Sequence, residues 1–143
     1  MHHVPVAVAL VGVILGSAAL LSAAEVPQPG FPQSAGVQTK THNFTVENLR
    51  KAHEMGFRVV RRALYWNGVE KEKGVYDFSN WDEPMAEAKR LGITVVGCLF
   101  GNNKLYEDDG RGGIQTEAGR EGFANFAAAA AEHYKDHDVL WEV

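Results

Sequence analysis

A sequence pattern that occurs twice, at an interval of 36 residues, limits the fold of this chain more than any other feature. At Gly56 and again at Gly92, a segment of helical character stops and a run rich in β-branched residues follows, FRVV in the first case and ITVV in the second. Glycine ends helices well because it adopts a positive φ without a Cβ clash. Neither run alternates with polar residues, which is typical of strands buried on both faces. The repeat therefore predicts helix–strand units that build a parallel sheet.

Three helices are predicted around this repeat. Thr45 is a suitable N-cap for a helix from Val46 to about Met55. The motif Ser79–Asp82 indicates the start of a second helix, and Pro84 is expected within about its first turn unless the helix begins later, at Asp82. A third helix is predicted from about Glu117 to Lys135.

Four strands complete the pattern. They are predicted at Gly36–Thr39, around Val59-Val60, at Ile93–Phe100 and at Val139–Val143. The resulting order, β-α-β-α-β-α-β, predicts an α/β fold with about four parallel strands and three helices.

Residues 1–24 have the pattern of a secretion signal. Val4–Leu21 is almost wholly apolar, and the small residues that follow predict cleavage after Ala24. The alternative is an uncleaved anchor, because about 20 apolar residues could cross a bilayer. The prolines of residues 25–35 predict an extended leader, and residues 36–143 form the predicted domain. We therefore expect a secreted or periplasmic protein that has no stable association with the membrane after cleavage.

The composition argues against several classes of protein. A net charge of −4 without a block of basic residues argues against a nucleic-acid partner. The single cysteine, Cys98, excludes a disulfide framework, and we expect it to be a small buried hydrophobe. His133 and His137 have a spacing that zinc ligands use, but no third ligand is evident. No metal or other cofactor is predicted, and the oligomeric state is left open.

Five segments carry a resemblance to a known family. They are Val60-Arg61 with Trp66, Val69–Ser79, Asn103–Tyr106, Arg120–Ala127 and Val139–Val143. Together they resemble the first part of the (β/α)₈ glycoside hydrolases with paired catalytic glutamates, and families 39 and 5 are the most similar. The likeness covers about Gly36–Val143. Because such a barrel needs about 250 residues, the resemblance implies the N-terminal half of a (β/α)₈ TIM barrel.

The resemblance also implies an activity, the hydrolysis of O-glycosyl bonds in a polysaccharide or glycoside by a retaining mechanism. In that family a segment like Val139–Val143 is followed by Trp-Asn-Glu-Pro, whose Glu is the general acid/base. The nucleophile is a Glu at the end of the seventh strand. Neither position falls within the 143 residues, so no catalytic residue is assigned here. We expect an N-terminal fragment that is inactive alone, and whether the chain itself acts as an enzyme is left open.

Side chains at or just after the strand ends are candidates for contact with substrate, because barrel enzymes bind substrate at this face. Aromatic rings suit the CH-rich faces of sugars, and amides suit their hydroxyl groups. The candidate substrate-binding residues are Arg61, Trp66, Asn102, Asn103, Tyr106 and His42. For Arg61 the resemblance implies that it orients a catalytic carboxylate, and a purely structural ion pair is the alternative. For Trp66 the alternative is packing under the following loop.

Two other functions are kept beside the hydrolase fragment. One is a non-catalytic glycan-binding or interaction half-barrel that dimerises. The other is a complete small hydrolase that uses Glu70 or Glu107, although no pair of carboxyl groups has a suitable spacing. Glu142 is predicted to lie in the filled barrel interior, paired with an arginine of the second strand, because an unpaired buried charge is costly. Arg62 is predicted to lie on the opposite face of that strand from Arg61 and to be structural.

Overall fold

The computed structural model describes residues 35–107 and 113–143. The predicted signal of residues 1–24 and nearly all of the predicted leader lie outside these described residues. No helix in the described ranges is long and apolar enough to cross a bilayer.

The described ranges contain six strands and four α-helices. In chain order they are β1 Gly36–Gln38, α1 Val46–Glu54, β2 Val59–Tyr65, α2 Trp66–Val69, β3 Glu70–Glu72, β4 Val75–Tyr76, α3 Ser79–Leu91, β5 Thr94–Phe100, α4 Glu117–His133 and β6 Val139–Glu142. A single 3-10 turn at Thr41–Asn43 precedes α1.

One parallel sheet organises the fold, with the strand order β1-β2-β5-β6. Val60 lies opposite Val95, and Cys98 lies opposite Glu142. This sheet confirms the predicted α/β class and the predicted parallel strands. The remaining strands, β3 and β4, form a separate antiparallel hairpin.

The two faces of the sheet differ in their surroundings. Val60, Leu64, Val95 and Leu99 are buried in a core that also contains Met85 of α3. We call this side of the sheet the outer face. The alternate positions of β2, including Arg61 and Ala63, are only half-buried. We call that side the inner face.

The helix ends confirm the signals in the sequence. The Oγ1 of Thr45 accepts a hydrogen bond from the Asn48 N–H at 3.3 Å, so Thr45 is the N-cap of α1 as predicted. Gly56 has a φ of 93° and Gly92 a φ of 64°, which are the positive values that favour glycine at these turns.

The start of α3 differs from the prediction. Ser79 is the first residue of the helix and not its cap, and the Oδ1 of Asp77 accepts a hydrogen bond from the Ser79 N–H at 3.0 Å. Pro84 lies at the sixth helical position, beyond the first turn. It is tolerated there because its ring is buried in the apolar face of the helix. The carbonyl that loses its partner belongs to the exposed residue Asn80, where water can replace the missing N–H.

Three short elements were not predicted. The helix α2 and the β3–β4 hairpin follow β2 directly, so the described part of the chain has four α-helices where three were expected. Each of these elements is two to four residues long, which is too short to produce a periodic pattern of apolar residues.

Glu87 of α3 links this helix to α1, and both helices pack on the outer face. Its carboxylate accepts hydrogen bonds from Arg90 at 2.7 and 2.8 Å and from the Nε of Arg50 at 2.6 Å. Arg90 and then Arg50 hold the pKa of Glu87 at about 2, below its usual value of 4.5. This depressed pKa means that the ion pairs stabilise the fold fully above about pH 4.5, and that the stabilisation is lost as the pH falls towards 2.

We therefore expect the Tm to fall between pH 5 and pH 2 by a smaller amount in a Glu87→Gln variant than in the parent. Thermal unfolding followed by circular dichroism at each pH measures this difference. Glu83→Gln, which changes an exposed glutamate on the same helix, is the control and should keep the slope of the parent. Equal slopes for the parent and Glu87→Gln would contradict the prediction.

Candidate functional site

An ion pair connects two strands on the inner face. The Nε and Nη2 of Arg61 donate to Oε2 and Oε1 of Glu142, each at 2.7 Å. Two parallel hydrogen bonds of this kind fix the orientation of both groups. The pair extends from β2 to β6 and passes over β5, where Cys98 lies opposite Glu142. The predicted partner of Glu142 is therefore confirmed as an arginine of the second strand.

The electrostatics of this group follow from its contacts. The hydrogen bonds to Glu142 raise the pKa of Arg61, and the same bonds lower the pKa of Glu142. Burial raises the pKa of the Cys98 thiol, and the neighbouring carboxylate raises it further. Cys98 is thus a buried, protonated thiol, as the sequence predicted.

Glu142 is more exposed in the described part of the chain than was predicted. Its side chain is 46% exposed and that of Arg61 is 34% exposed, whereas a filled barrel interior was expected. The physical reason is that the described residues form only one wall of such an interior. No described segment packs over the pair from the opposite side.

Two aromatic residues mark the carboxyl ends of the central strands. Tyr65 ends β2 and Phe100 ends β5, and the two lie opposite each other in register. Their rings meet edge to face, with centroids 5.5 Å apart, and they are 40% and 53% exposed. Neither residue was a candidate from the sequence. An aromatic residue at the last position of each buried apolar run was the signal that could have identified them.

Trp66 lies in the core and not at a ligand-accessible surface. Its side chain is completely buried. It stacks on Tyr106 with ring centroids 5.1 Å apart and meets the ring of Phe123 edge to face at 5.6 Å. The structure therefore corrects the proposed contact between Trp66 and sugar in favour of the alternative, which was packing under the following loop.

Glu70 is the acceptor at the centre of this cluster. It is only 1% exposed, and its carboxyl group accepts hydrogen bonds from Trp66 Nε1, from the Gly74 N–H and from the Tyr106 hydroxyl. Burial and the bond to Glu70 raise the pKa of Tyr106 to about 12. Tyr106 is half-buried, and the Nζ of Lys73 lies 4.8 Å from the centre of its ring. Glu70 and Tyr106 thus anchor the β3–β4 hairpin to the core.

Glu107 is also engaged by structural donors. Its Oε1 accepts hydrogen bonds from the backbone N–H groups of Gln115 and Thr116, both at 3.1 Å, just before α4 begins. Both oxygens of Glu70 and the Oε1 of Glu107 are therefore committed to holding loops in place. This arrangement contradicts the hypothesis of a small hydrolase built on Glu70 or Glu107.

The two asparagines after β5 have different environments. Asn103 is 4% exposed, donates from Nδ2 to the Glu70 carbonyl at 2.7 Å and accepts from the Leu105 N–H at 3.1 Å. Its amide is thus used within the fold, which does not favour contact with a sugar. Asn102 is half-buried and lines an open cleft of about 320 Å³ together with Asn67 and Lys71.

His42 lies at the junction of two open clefts beside β2. One cleft has a volume of about 340 Å³ and the other of about 300 Å³, and His42, Arg62 and Tyr65 line both. His42 is exposed, whereas Arg62 is buried on the outer face with its guanidinium 5.5 Å from the centre of the Trp81 ring. Arg62 therefore lies on the opposite face from Arg61, as predicted.

The two histidines considered as a zinc pair make other contacts. The Nε2 of His133 lies 2.7 Å from Oδ1 of Asp82, and the Tyr134 hydroxyl donates to the same oxygen at 3.0 Å. The ring of His137 meets the ring of Tyr134 edge to face. Within residues 35–107 and 113–143, no group of three or more potential metal ligands is found.

No protein-family model matches the sequence, and no curated protein matches it. Solved structures do match. A family 39 glycoside hydrolase from the gut symbiont Bacteroides cellulosilyticus WH2 is 24% identical, with a TM-score of 0.66 over 77% of this chain and 24% of that chain.

Two β-galactosidases match less closely. The enzyme from the psychrophilic Marinomonas ef1 is 19% identical with a TM-score of 0.57, and the enzyme from the Antarctic haloarchaeon Halorubrum lacusprofundi is 20% identical with a TM-score of 0.56. Each of these matches covers 74% of this chain and 20% of the other chain. The present chain thus spans about a quarter or less of the structures that it matches. It has the fold of part of a (β/α)₈ barrel, of the kind found in these glycoside hydrolases.

Proposed function

We propose that this chain is the N-terminal part of a secreted retaining glycoside hydrolase, which cleaves O-glycosyl bonds in a polysaccharide or glycoside. The observation that carries the proposal is the bidentate Arg61–Glu142 pair on the inner face of a parallel sheet. It lies below the carboxyl ends of the strands, and barrel enzymes place their chemistry at those ends. The similarity of the fold to family 39 and β-galactosidase structures supports the same function.

In this proposal the described residues position groups and bind substrate, and they do not perform the chemistry. A retaining glycosidase needs two carboxyl groups about 5–5.5 Å apart, one of them protonated and the other ionised. On the inner face, Glu142 is the carboxylate close to the strand ends, and it is held as an anion by Arg61. The acid/base and the nucleophile would come from segments outside these 143 residues. Arg61 would orient one of those carboxylates and favour its ionised form.

The exposed pair Tyr65–Phe100 supports a carbohydrate substrate. It lies at the carboxyl edge of the central strands, and its rings are available to the CH-rich face of a sugar. Of the original candidates, His42 and Asn102 lie on the same edge of the sheet and line open clefts. We propose these four residues as substrate contacts in place of Trp66 and Asn103.

The first experiment is to sequence the gene through codon 143 and several hundred bases downstream, in all frames. The proposal expects a Trp-Asn-Glu-Pro motif directly after Val143. The longer product should hydrolyse aryl β-glycosides, whereas the 143-residue chain should not. Turnover by the 143-residue chain alone would contradict the proposed division of roles.

In the longer product, Arg61→Gln should lower kcat/KM by about 100-fold, a loss of about 2.7 kcal/mol of transition-state stabilisation. The acid limb of the pH profile should also move to higher pH, because removing the guanidinium raises the pKa of the carboxylate that it orients. Arg120→Gln, which removes an exposed arginine of α4, is the matched control. An unchanged pH profile in Arg61→Gln would show that Arg61 has a structural role only.

The exposed aromatic pair also favours a second candidate function, a non-catalytic glycan-binding half-barrel that dimerises. In that case the inner face would be covered by a second copy. Sedimentation velocity measures the oligomeric state and so distinguishes the two proposals. A stable dimer that also binds oligosaccharide without cleaving it would support the glycan-binding half-barrel, whereas a monomer would contradict it.

A further inference from the structure

Arg62 is a buried cation that has no anionic partner among the described residues. It is 4% exposed, and its Nε has no hydrogen-bond partner within residues 35–107 and 113–143. Its Nη1 donates to the Ala63 carbonyl, and its guanidinium lies over the Trp81 ring. Burial lowers the pKa of Arg62, and no described carboxylate opposes that effect. A buried charge is costly unless it is paired, so this arrangement calls for an anion.

A second buried donor lies beside it. The Oγ1 of Thr39 also lacks a hydrogen-bond partner among the described residues. The Thr39 N–H donates to the Arg61 carbonyl at 3.0 Å, which places Thr39 next to β2. Thr39 and Arg62 both line the cleft of about 300 Å³. Two unpartnered polar atoms in one cleft are unusual, because buried polar groups nearly always have partners.

The adjoining cleft of about 340 Å³ is lined by residues at the N-termini of two helices. Thr45, the N-cap of α1, and Asn80, in the first turn of α3, line it. Helix N-termini carry partial positive charge and favour anions. Asp77 is the carboxylate in this lining, and its Oδ1 is used by the Ser79 N–H.

The shape and walls of the clefts limit the size and chemistry of the ligand. The larger cleft has aromatic walls formed by Phe44, Tyr65, Phe78 and Trp81. Aromatic walls suit a sugar ring, and a volume of 300–340 Å³ is within the range for small ligands. The guanidinium fork can bind a carboxylate or a tetrahedral oxyanion through two hydrogen bonds, so it is the aromatic walls that favour an anion carried on a ring.

We infer that the two clefts form a site for an acidic sugar, in which Arg62 and Thr39 hold the carboxylate and the aromatic walls hold the ring. The carboxylate part of the inference stands on Arg62 and Thr39, whereas the sugar part rests on the proposed function. Because Arg62 lies on the outer face, the carboxylate contact is separate from the Arg61–Glu142 pair, whereas Tyr65 and His42 are shared with the substrate contacts proposed above. The site would bind a uronate branch or terminus of a glycan that is cleaved at the inner face.

Calorimetric titration of the folded 143-residue chain tests the inference, with sodium glucuronate, sodium acetate, sodium sulfate and glucose as probes at equal ionic strength. Glucuronate should bind, and the Kd for glucose should be at least about 10-fold higher, which corresponds to about 1.4 kcal/mol. Acetate should bind more weakly than glucuronate. Glucose that binds as tightly as glucuronate would overturn the carboxylate site, and so would sulfate that binds more tightly.

Substitution of Arg62 is the second part of this binding test. Arg62→Met should abolish glucuronate binding and leave the Tm equal or higher, because it removes an unpaired buried charge. Arg120→Met, which changes the net charge equally on the exposed face of α4, should bind as the parent does. If Arg62→Met fails to fold, Arg62→Lys carries the test, since lysine keeps the charge but cannot form the bidentate contact. Unchanged binding in either variant overturns the site.

The test of the acidic-sugar site can fail or succeed independently of the test of the proposed hydrolase activity. Acetate that binds as tightly as glucuronate would support the carboxylate contact and overturn the sugar part. Hydrolysis is measured on the longer product with neutral aryl glycosides, and it does not depend on Arg62. Failure of the acidic-sugar site would therefore leave the inner-face proposal to be decided by its own assay.

Discussion

Glu70→Ala should lower the free energy of unfolding by about 3–5 kcal/mol. The carboxyl group is 1% exposed, and it is the acceptor for Trp66 Nε1, the Gly74 N–H and the Tyr106 hydroxyl. Each buried donor left without a partner costs about 1–3 kcal/mol. Urea denaturation followed by far-UV circular dichroism measures the loss.

Two further variants separate the lost acceptor from a general effect of removing charge. Glu72→Ala changes an exposed glutamate on the same strand, β3, and should alter stability by less than about 0.5 kcal/mol. Glu70→Gln should fall between the two, because the amide keeps one accepting oxygen but places an NH₂ group against the remaining donors. A Glu70→Ala variant within about 1 kcal/mol of the parent would show that water replaces the lost carboxyl group.

Trp66→Ala should cost a similar amount, about 3–5 kcal/mol, as is usual when a buried aromatic side chain is truncated. The indole is completely buried between Tyr106 and Phe126, whose ring centroids lie 5.1 and 6.3 Å from it. Trp66→Phe should lose less, because it keeps the stacked ring and removes only the N–H donor and part of the volume. A Trp66→Ala chain with normal stability but weakened glycan binding would restore the original view of Trp66 as a sugar contact.

The Glu70 and Trp66 effects should not add. The two side chains share a hydrogen bond, so the double variant removes that interaction once and not twice. We expect the loss in Glu70→Ala/Trp66→Ala to be smaller than the sum of the single losses by about 1 kcal/mol or more. Additive losses would show that the contact contributes little to stability.

Local signals were sufficient for the main elements of the fold. Thr45 caps α1, and Gly56 and Gly92 adopt positive φ, because these features depend on the conformation of a few neighbouring residues. The parallel sheet followed from apolar runs that were predicted to be buried on both faces, although in β2 only the outer face is fully buried. α3 starts at the predicted motif, but its N-cap is Phe78, which has no capping side chain, and Asp77 accepts the hydrogen bond from the Ser79 N–H instead.

The candidate site was harder to predict because its residues depend on contacts that are distant in the chain. Glu142 was expected to pair with an arginine of the second strand, which is correct and follows from the cost of an unpaired charge. Trp66 was misassigned because a tryptophan after a strand end can project outward or fold under the next loop. Here the buried position is stabilised by a hydrogen bond to Glu70, four residues further on, and by stacking on Phe126 of α4, 60 residues further on. A pattern of nearby residues cannot reveal the second of these partners.

The order of strands in the sheet, β1-β2-β5-β6, has a consequence for how the chain folds during synthesis. Among the four strands of this sheet, each new strand pairs with the one that was translated before it, although α2 and the β3–β4 hairpin lie between β2 and β5 in the chain. A new strand that leaves the ribosome therefore meets a docking edge that is already complete, and the contact is made across a single crossover connection. β6 is the last of these four strands, and within the described residues the edge of β6 that does not pair with β5 has no partner strand. That edge is a ready template for the pairing of a further strand.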